Sequence, residues 1–267
     1  MLGWLFPVKC VFCGSTLPTN AALGVCGACE TEIPFYESAY LYWDADPHKG
    51  QAGLHKGQAG PHKGQADPHK GQAGPHKDQA GPHKGQIEGA QSASGGRRRC
   101  DRVVCSLRYE GIVSSALMRY KFFNRPEFGK TLAALLCEKI ARVEGAAPFD
   151  CVACVPLSQS REKERGYNQA GIIARHAANF FGCHFDGSLL RRDASAMRQS
   201  RLSGCERTAN ARSAYTMGPD RANAVTGLRV LLIDDIATTL STINACAGAL
   251  SAAGAMSVVG GVIAARV

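Results

Sequence analysis

Residues 230–243 read VLLIDDIATTLSTI. Four apolar residues run straight into Asp234 and Asp235, and a Thr-rich turn follows. Beyond it, residues 241–254 (STINACAGALSAAG) carry small apolar residues at helical spacing and close at Gly254. A short continuous apolar run bounded by polar turn residues suits a strand buried on both faces, as in a parallel sheet covered by helices. The stretch therefore predicts strand, turn and helix in that order.

The same alternation recurs on either side. RVVCSLRY (102–109) predicts a strand and IVSSALMRYKFF (112–123) a helix. A further helix is expected to run to about Val143, with Asn124 as its N-cap and Pro126 just inside it. FDCVACVPL (149–157) predicts a buried strand, NQAGIIARHAANFF (168–181) a helix, LRVLLIDD (228–235) a strand and SVVGGVIAA (257–265) the last strand. Strands alternating with helices imply an α/β fold, a mostly parallel sheet with flanking helices. Ligands in such folds sit beyond the carboxyl ends of the strands, where Asp234-Asp235 and Pro156-Leu157 fall.

Two carboxylates at a strand end can accept hydrogen bonds from the vicinal hydroxyls of a ribose. The hydroxyls of Thr238, Thr239, Ser241 and Thr242, with backbone N–H groups at a helix start, form an anion site for a phosphate. Together they describe a site for a phosphorylated pentose. The plainer reading of these residues is an acidic strand end followed by an ordinary Ser/Thr cap. His176 falls in a helix pattern and His184 near a strand start, and neither completes a nucleophilic triad.

Cys10, Cys13, Cys26 and Cys29 are spaced C-x2-C-x12-C-x2-C. Each pair suits a tight turn aiming two thiolates at one ion, and four ligands close a tetrahedral structural zinc site. Gly14 and Gly27 sit where such turns need them. Cys151 and Cys154 share the spacing, but residues three apart on a strand face opposite sides, so they are expected as buried small hydrophobes.

The formal charge of +9 is uneven: residues 47–86 contribute +4 and Arg97-Arg98-Arg99 contribute +3. Between residues 47 and 86 the unit PHKGQAG repeats, placing His48, His55, His62, His69, His76 and His83 seven apart. Proline and glycine in nearly every unit and the lack of an apolar pair exclude a coiled coil, so this segment is expected to be disordered. The expected organisation is a four-cysteine zinc module over 1–35, a linker over 36–99 holding the repeat, and an α/β domain over 100–267. No apolar run approaches the ~18 residues needed to span a bilayer, and the first residues lack the pattern of a secretory signal. Twelve cysteines without an export signal point to a reducing, cytoplasmic setting.

The acidic-Thr loop resembles that of the type I phosphoribosyltransferases. With it, VPLSQSREKERGYNQA (155–170), RQSRLSGCERTANARSAY (198–215, through Gln199, Leu202, Glu206, Arg207 and Asn210), YEGIVSSALMRYKF with Lys121, and the four-cysteine module are similar to the ComF family of competence-associated proteins. The resemblance spans residues 1–35 and about 100–267. It implies a type I phosphoribosyltransferase-like domain with a zinc finger. It implies that Asp234 and Asp235 hold ribose hydroxyls, and that Thr238, Thr239, Ser241, Thr242 and the Leu240 backbone hold the 5′-phosphate. Pro156, Leu157 and Ser158 would form a pyrophosphate loop, and Arg161, Lys163 and Arg165 a mobile basic loop. Leu240 departs from the pattern, which carries glycine there. Held at positive φ it would cost roughly 1–2 kcal/mol; at negative φ it would point outward at no cost.

Two functions follow from the resemblance. One is a cytoplasmic accessory component of DNA uptake that binds a phosphoribosyl ligand and docks a partner such as a competence helicase or single-stranded DNA. The other is a Mg²⁺-dependent phosphoribosyltransferase, a glycosyltransferase using 5-phosphoribosyl 1-diphosphate (PRPP) and an acceptor the residues do not identify.

Overall fold

Five strands form one parallel sheet: β3 (Arg102–Arg108), β4 (Cys151–Cys154), β5 (His184–Phe185), β8 (Arg229–Ala237) and β9 (Ser257–Ala265). Their order across the sheet is β3-β9-β8-β4-β5. This computed structural model describes residues 8–18, 24–44, 53–55, 100–146, 148–193 and 214–266.

Along β4, and along β8 as far as Ile233, alternate residues feed two cores, as the pleat demands. Leu231 and Ile233 of β8, and Val152 and Cys154 of β4, join one apolar cluster with α2 (Gly111–Phe122), α3 (Phe128–Glu144) and α5 (Gln169–Phe181). Val230, Leu232, Cys151 and Ala153 point the other way. They meet α6 (Ser241–Ala252) and residues of the hairpin β6 (Leu190–Arg192) and β7 (Tyr215–Met217). Burial on both faces explains why VLLI lacks alternation. Gly260 and Gly261 in β9 leave room for helix side chains to pack close on both faces of the sheet. A Cβ at Gly260 would stand 3.2 Å from Ile243 of α6, and one at Gly261 3.1 Å from Ile140 of α3.

From β4 the chain passes through α5 to β5 at the sheet edge, while from β8 it passes through α6 to β9 on the opposite side. Strands β4 and β8 are neighbours, so the direction of winding reverses between them. A crevice opens beyond their carboxyl ends for that reason.

The four-cysteine segment and its short helix α1 (Gly27–Glu32) do not stand apart. Cys10, Val11, Phe12, Leu17 and Cys29 lie in the same buried cluster as Leu117, Leu132 and Leu136.

Several local expectations need correction. Asn124 is not an N-cap: it takes a left-handed conformation (φ 47°) just after α2, and α3 starts at Phe128 beyond a turn through Pro126. Residues 161–165, expected as a loop, form the helix α4 (Gln159–Arg165). Its cap was readable: Ser158 Oγ accepts the Arg161 N–H at 3.4 Å, and Gly166 ends the helix at φ 78°. Within the seven-residue repeat, β2 (Gly53–His55) pairs antiparallel with β1 (Tyr42–Asp44). Leu54 replaces the proline of the other units, restoring the N–H that a strand ladder requires. His48, His62, His69, His76 and His83, and Gln199, Leu202, Glu206, Arg207 and Asn210, lie outside the described residues. Among the described residues, no helix is long and apolar enough to cross a membrane.

Candidate functional site

The crevice is a cleft of about 220 Å³ lined on the β4 side by Val155, Pro156, Leu157, Arg161, Arg165, Asn168 and Gln169. Across it stand Lys121, Arg192, Tyr215, Asp234, Asp235 and Thr242. Four cations and two carboxylates thus share one small concavity.

Strand β8 continues two residues past the acidic pair, with Ile236 and Ala237 still paired to β9. The acids therefore sit within the strand and alternate across it. Asp235, on the α2 side, is buried and bonded to Lys121, Nζ to Oδ2 at 2.9 Å, with side-chain exposures of 16% and 12%. Asp234 accepts the Asp235 N–H through Oδ1 at 2.8 Å. Burial first, and the neighbouring Asp235 charge second, push the Asp234 carboxyl up to about 7; the Asp235 amide and Lys121 pull weakly against this. Asp234 keeps partial solvent access, which tempers the upward shift but leaves its direction.

The Thr-rich turn divides. Thr242 lines the cleft. Thr238, Thr239 and Ser241 are exposed beside it, and the Thr239 and Ser241 hydroxyls lie 2.8 Å apart. Leu240 adopts φ −83° and ψ 7°, so the turn imposes no left-handed strain. Its side chain does not point outward but lies in the α6-side core, 4% exposed. As N-cap of α6, Leu240 offers the first N–H groups no side-chain acceptor. An uncapped helix start beside four cations attracts an anion.

Helix α4 presents Arg161 and Arg165, one turn apart, to the cleft, while Lys163 is exposed and outside its lining. Ser158 serves as the helix cap. Arg165 donates to the Gln169 side-chain oxygen at 3.1 Å and lies 5.1 Å from the Phe122 ring centre. Asn168 ties β4 to α5: Nδ2 donates to the Val155 carbonyl at 3.2 Å, and Oδ1 caps Gly171 at 3.3 Å. Arg192 and Tyr215 were missed. They come from a two-stranded hairpin whose short strands carry no periodic signal, and only the fold brings them to the acids.

The sulfurs of Cys10, Cys13, Cys26 and Cys29 lie within 4.8 Å of one another, with Cys13 and Cys26 at 3.6 Å. A tetrahedron of Zn–S bonds of ~2.3 Å has edges of roughly 3.8 Å, so this set fits one ion. Gly14 turns the first knuckle at φ 79°, bonding N–H to the Cys10 carbonyl at 2.9 Å, whereas Gly27 opens α1. Hydrogen bonds from the Ser15 side chain and backbone pull the Cys13 thiol down to about 6. Burial instead pushes Cys154 up to about 12 and Cys151 up to about 11. They join opposite cores and stay protonated.

Strand order and cleft define a doubly wound α/β protein with a mixed acidic and basic site at its switch point and a four-cysteine group spaced to hold a metal ion. No family model matches the chain. It is 31% identical over 160 residues to DNA utilization protein YhgH of Salmonella typhi, covering 59% of this chain and 69% of that protein. Competence protein F of Haemophilus influenzae is 28% identical over 147 residues, covering 54% of this chain and 64% of that protein. The chain belongs to the ComF family. Among solved structures, glutamine phosphoribosylpyrophosphate amidotransferase from B. subtilis, complexed with ADP and GMP, is similar at 23% identity. It has a TM-score of 0.36 and covers 53% of this chain and 30% of that one.

Proposed function

We propose that the cleft binds a phosphorylated ribose and that the protein is a cytoplasmic accessory component of DNA uptake. The convergence of Asp234, Asp235, Thr242 and the uncapped start of α6 at the switch point carries the reading. In it, the 5′-phosphate lies at Thr242 and the first N–H groups of α6, flanked by Thr238, Thr239 and Ser241. The ribose hydroxyls meet the acids, of which Asp235 is held by Lys121 through Oδ2 at 2.9 Å. The names of the relatives support the DNA-uptake role. The four cysteines would hold a structural zinc. The partner in this reading is a competence helicase, with direct single-stranded DNA binding as the outcome a strand titration distinguishes.

One feature favours a second reading, an active phosphoribosyltransferase. Arg161 and Arg165 stand beside Pro156 and Leu157, where they can neutralise a leaving diphosphate. Transfer at an anomeric carbon passes through a cation-like state, which carboxylates stabilise without a nucleophilic side chain. Mg²⁺ would supply further charge neutralisation on PRPP when bound.

Calorimetry of the full chain with ribose 5-phosphate, and with PRPP and Mg²⁺, tests the binding claim. Asp235→Asn should weaken both by roughly tenfold, a loss of about 1.4 kcal/mol. Absence of binding by the parent refutes the reading. Diphosphate release from PRPP by the parent would favour the enzyme.

A further inference from the structure

We propose that the last turn of α2 couples the four-cysteine site to the cleft, with Arg119 and Lys121 as its two positioning residues. The inference rests on reading the cleft as a phosphoribosyl site and the cysteines as zinc ligands.

Three consecutive residues make the connection. Arg119 donates from one terminal nitrogen to the Val11 carbonyl at 3.1 Å and to the Phe12 carbonyl. Val11 and Phe12 are the two residues between Cys10 and Cys13, so this guanidinium grips the backbone of the first knuckle itself. Lys121 reaches the opposite way, to Asp235 at 2.9 Å. At 3.6 residues per turn the two side chains leave the helix about 200° apart, so they point to opposite sides. Tyr120 sits between them, fully buried. Its hydroxyl donates to the Gln169 carbonyl at 2.9 Å, and its own carbonyl accepts from the Tyr167 hydroxyl.

The turn is thus fastened to the knuckle on one side, to the cleft acid on the other, and to the start of α5 in the middle. Val11, Phe12, Leu117 and Tyr120 share one apolar cluster, and such a core passes a displacement on rather than absorbing it. With the four cysteines closed on a metal, the Val11 and Phe12 carbonyls would be fixed; they hold Arg119, and the helix end holds Lys121 against Asp235. Without that closure the helix end would be free to move and the acid that meets the sugar would loosen. By linkage, a ligand that orders Asp235 must tighten metal binding by the same free energy.

The test uses the zinc-loaded full chain and measures zinc affinity by equilibrium competition with a chromophoric chelator, with and without saturating ribose 5-phosphate. The ligand should tighten zinc binding by roughly fivefold, near the lower end of ordinary site-to-site coupling. Arg119→Met, and the shorter Arg119→Gln as a second variant, should each keep one zinc by native mass spectrometry and still bind ribose 5-phosphate. Their zinc affinities should no longer respond to it. Parent protein that binds the sugar phosphate without tighter zinc binding overturns this proposal alone. So does an effect that persists in both variants. If the parent binds no ribose 5-phosphate by calorimetry, the phosphoribosyl reading and the coupling fall together.

Discussion

Leu240→Gly separates two accounts of the phosphate turn. If the backbone were strained, glycine would relieve it and tighten ligand binding about tenfold, matching a relief of 1–2 kcal/mol. The observed φ of −83° leaves nothing to relieve. What glycine removes instead is a side chain 4% exposed, packed in the cluster that holds Ile243, Cys246 and Leu250 of α6. Truncating a buried leucine to alanine costs about 2–5 kcal/mol. Going on to glycine adds no further loss at an N-cap, where glycine is preferred over alanine. A loss of about 3 kcal/mol lowers the melting temperature of a chain this size by roughly 6–12 °C. Urea unfolding measures the loss, with Leu240→Met, nearly conserved in volume, expected within about 1.5 kcal/mol of the parent. Ribose 5-phosphate affinity of the glycine variant should not improve. A variant as stable as the parent, or one that binds tighter, would falsify this account.

Three further expectations follow from the packing. Native mass spectrometry should find a single zinc in the parent and none in Cys26→Ser. Because Val11 and Phe12 share a core with α2 and α3, the variant should melt earlier in one transition; a separate low-temperature step would show an independent module. Deleting residues 58–86 should change stability by less than about 1 kcal/mol, since loop closure depends only logarithmically on length; a larger loss would mean the segment packs on the domain. Asp234 has a folded pKa raised from 3.8 to about 7, so the folded state keeps a proton that the unfolded state loses across that window. Its contribution to stability therefore falls as pH rises from about 4 to 7. The stability advantage of Asp234→Asn should grow over that range and level off above it, and a pH-independent difference in urea midpoints would contradict the shift.

The sheet was legible because burial on both faces writes itself into sequence. Residues 257–265 are expected as a strand and observed as one, and four apolar residues before Asp234 mark the centre of β8. The four cysteines were legible because a tetrahedral site dictates spacing. What stayed hidden depends on tertiary partners or on a competing local signal. Arg192 and Tyr215 reach the cleft from a hairpin of three-residue strands. Asn124 is a preferred cap residue, yet asparagine also tolerates left-handed backbone, and the exit from α2 claimed it for that. The α4 helix shows the opposite failure: Ser158 and Gly166 were present as start and stop, but a run of alternating charges masked them.

The acidic pair shows how one extra turn of pleat changes chemistry. Read as the last two residues of a strand, Asp234 and Asp235 form a single clamp with both carboxylates facing the ligand. The strand stays paired through Ile236 and Ala237, and the two acids, as neighbours on a strand, point to opposite faces. On the α2 face Asp235 meets Lys121 and remains salt-bridged. On the α6 face Asp234 sits against burial and the Asp235 charge, and so holds its proton to about 7. One acid is therefore an acceptor that Lys121 holds in place through Oδ2. The other is a carboxyl that near neutral pH can donate a hydrogen bond as well as accept one. A sugar phosphate that uses both would meet the Lys121-held carboxylate on one side and, on the other, a group whose protonation sets its affinity. Ribose 5-phosphate binding should accordingly vary between pH 6 and 8 in the parent, and that part of the variation should vanish in Asp234→Asn. Parallel pH profiles for parent and variant, measured by calorimetry, would show that Asp234 takes no part in the site.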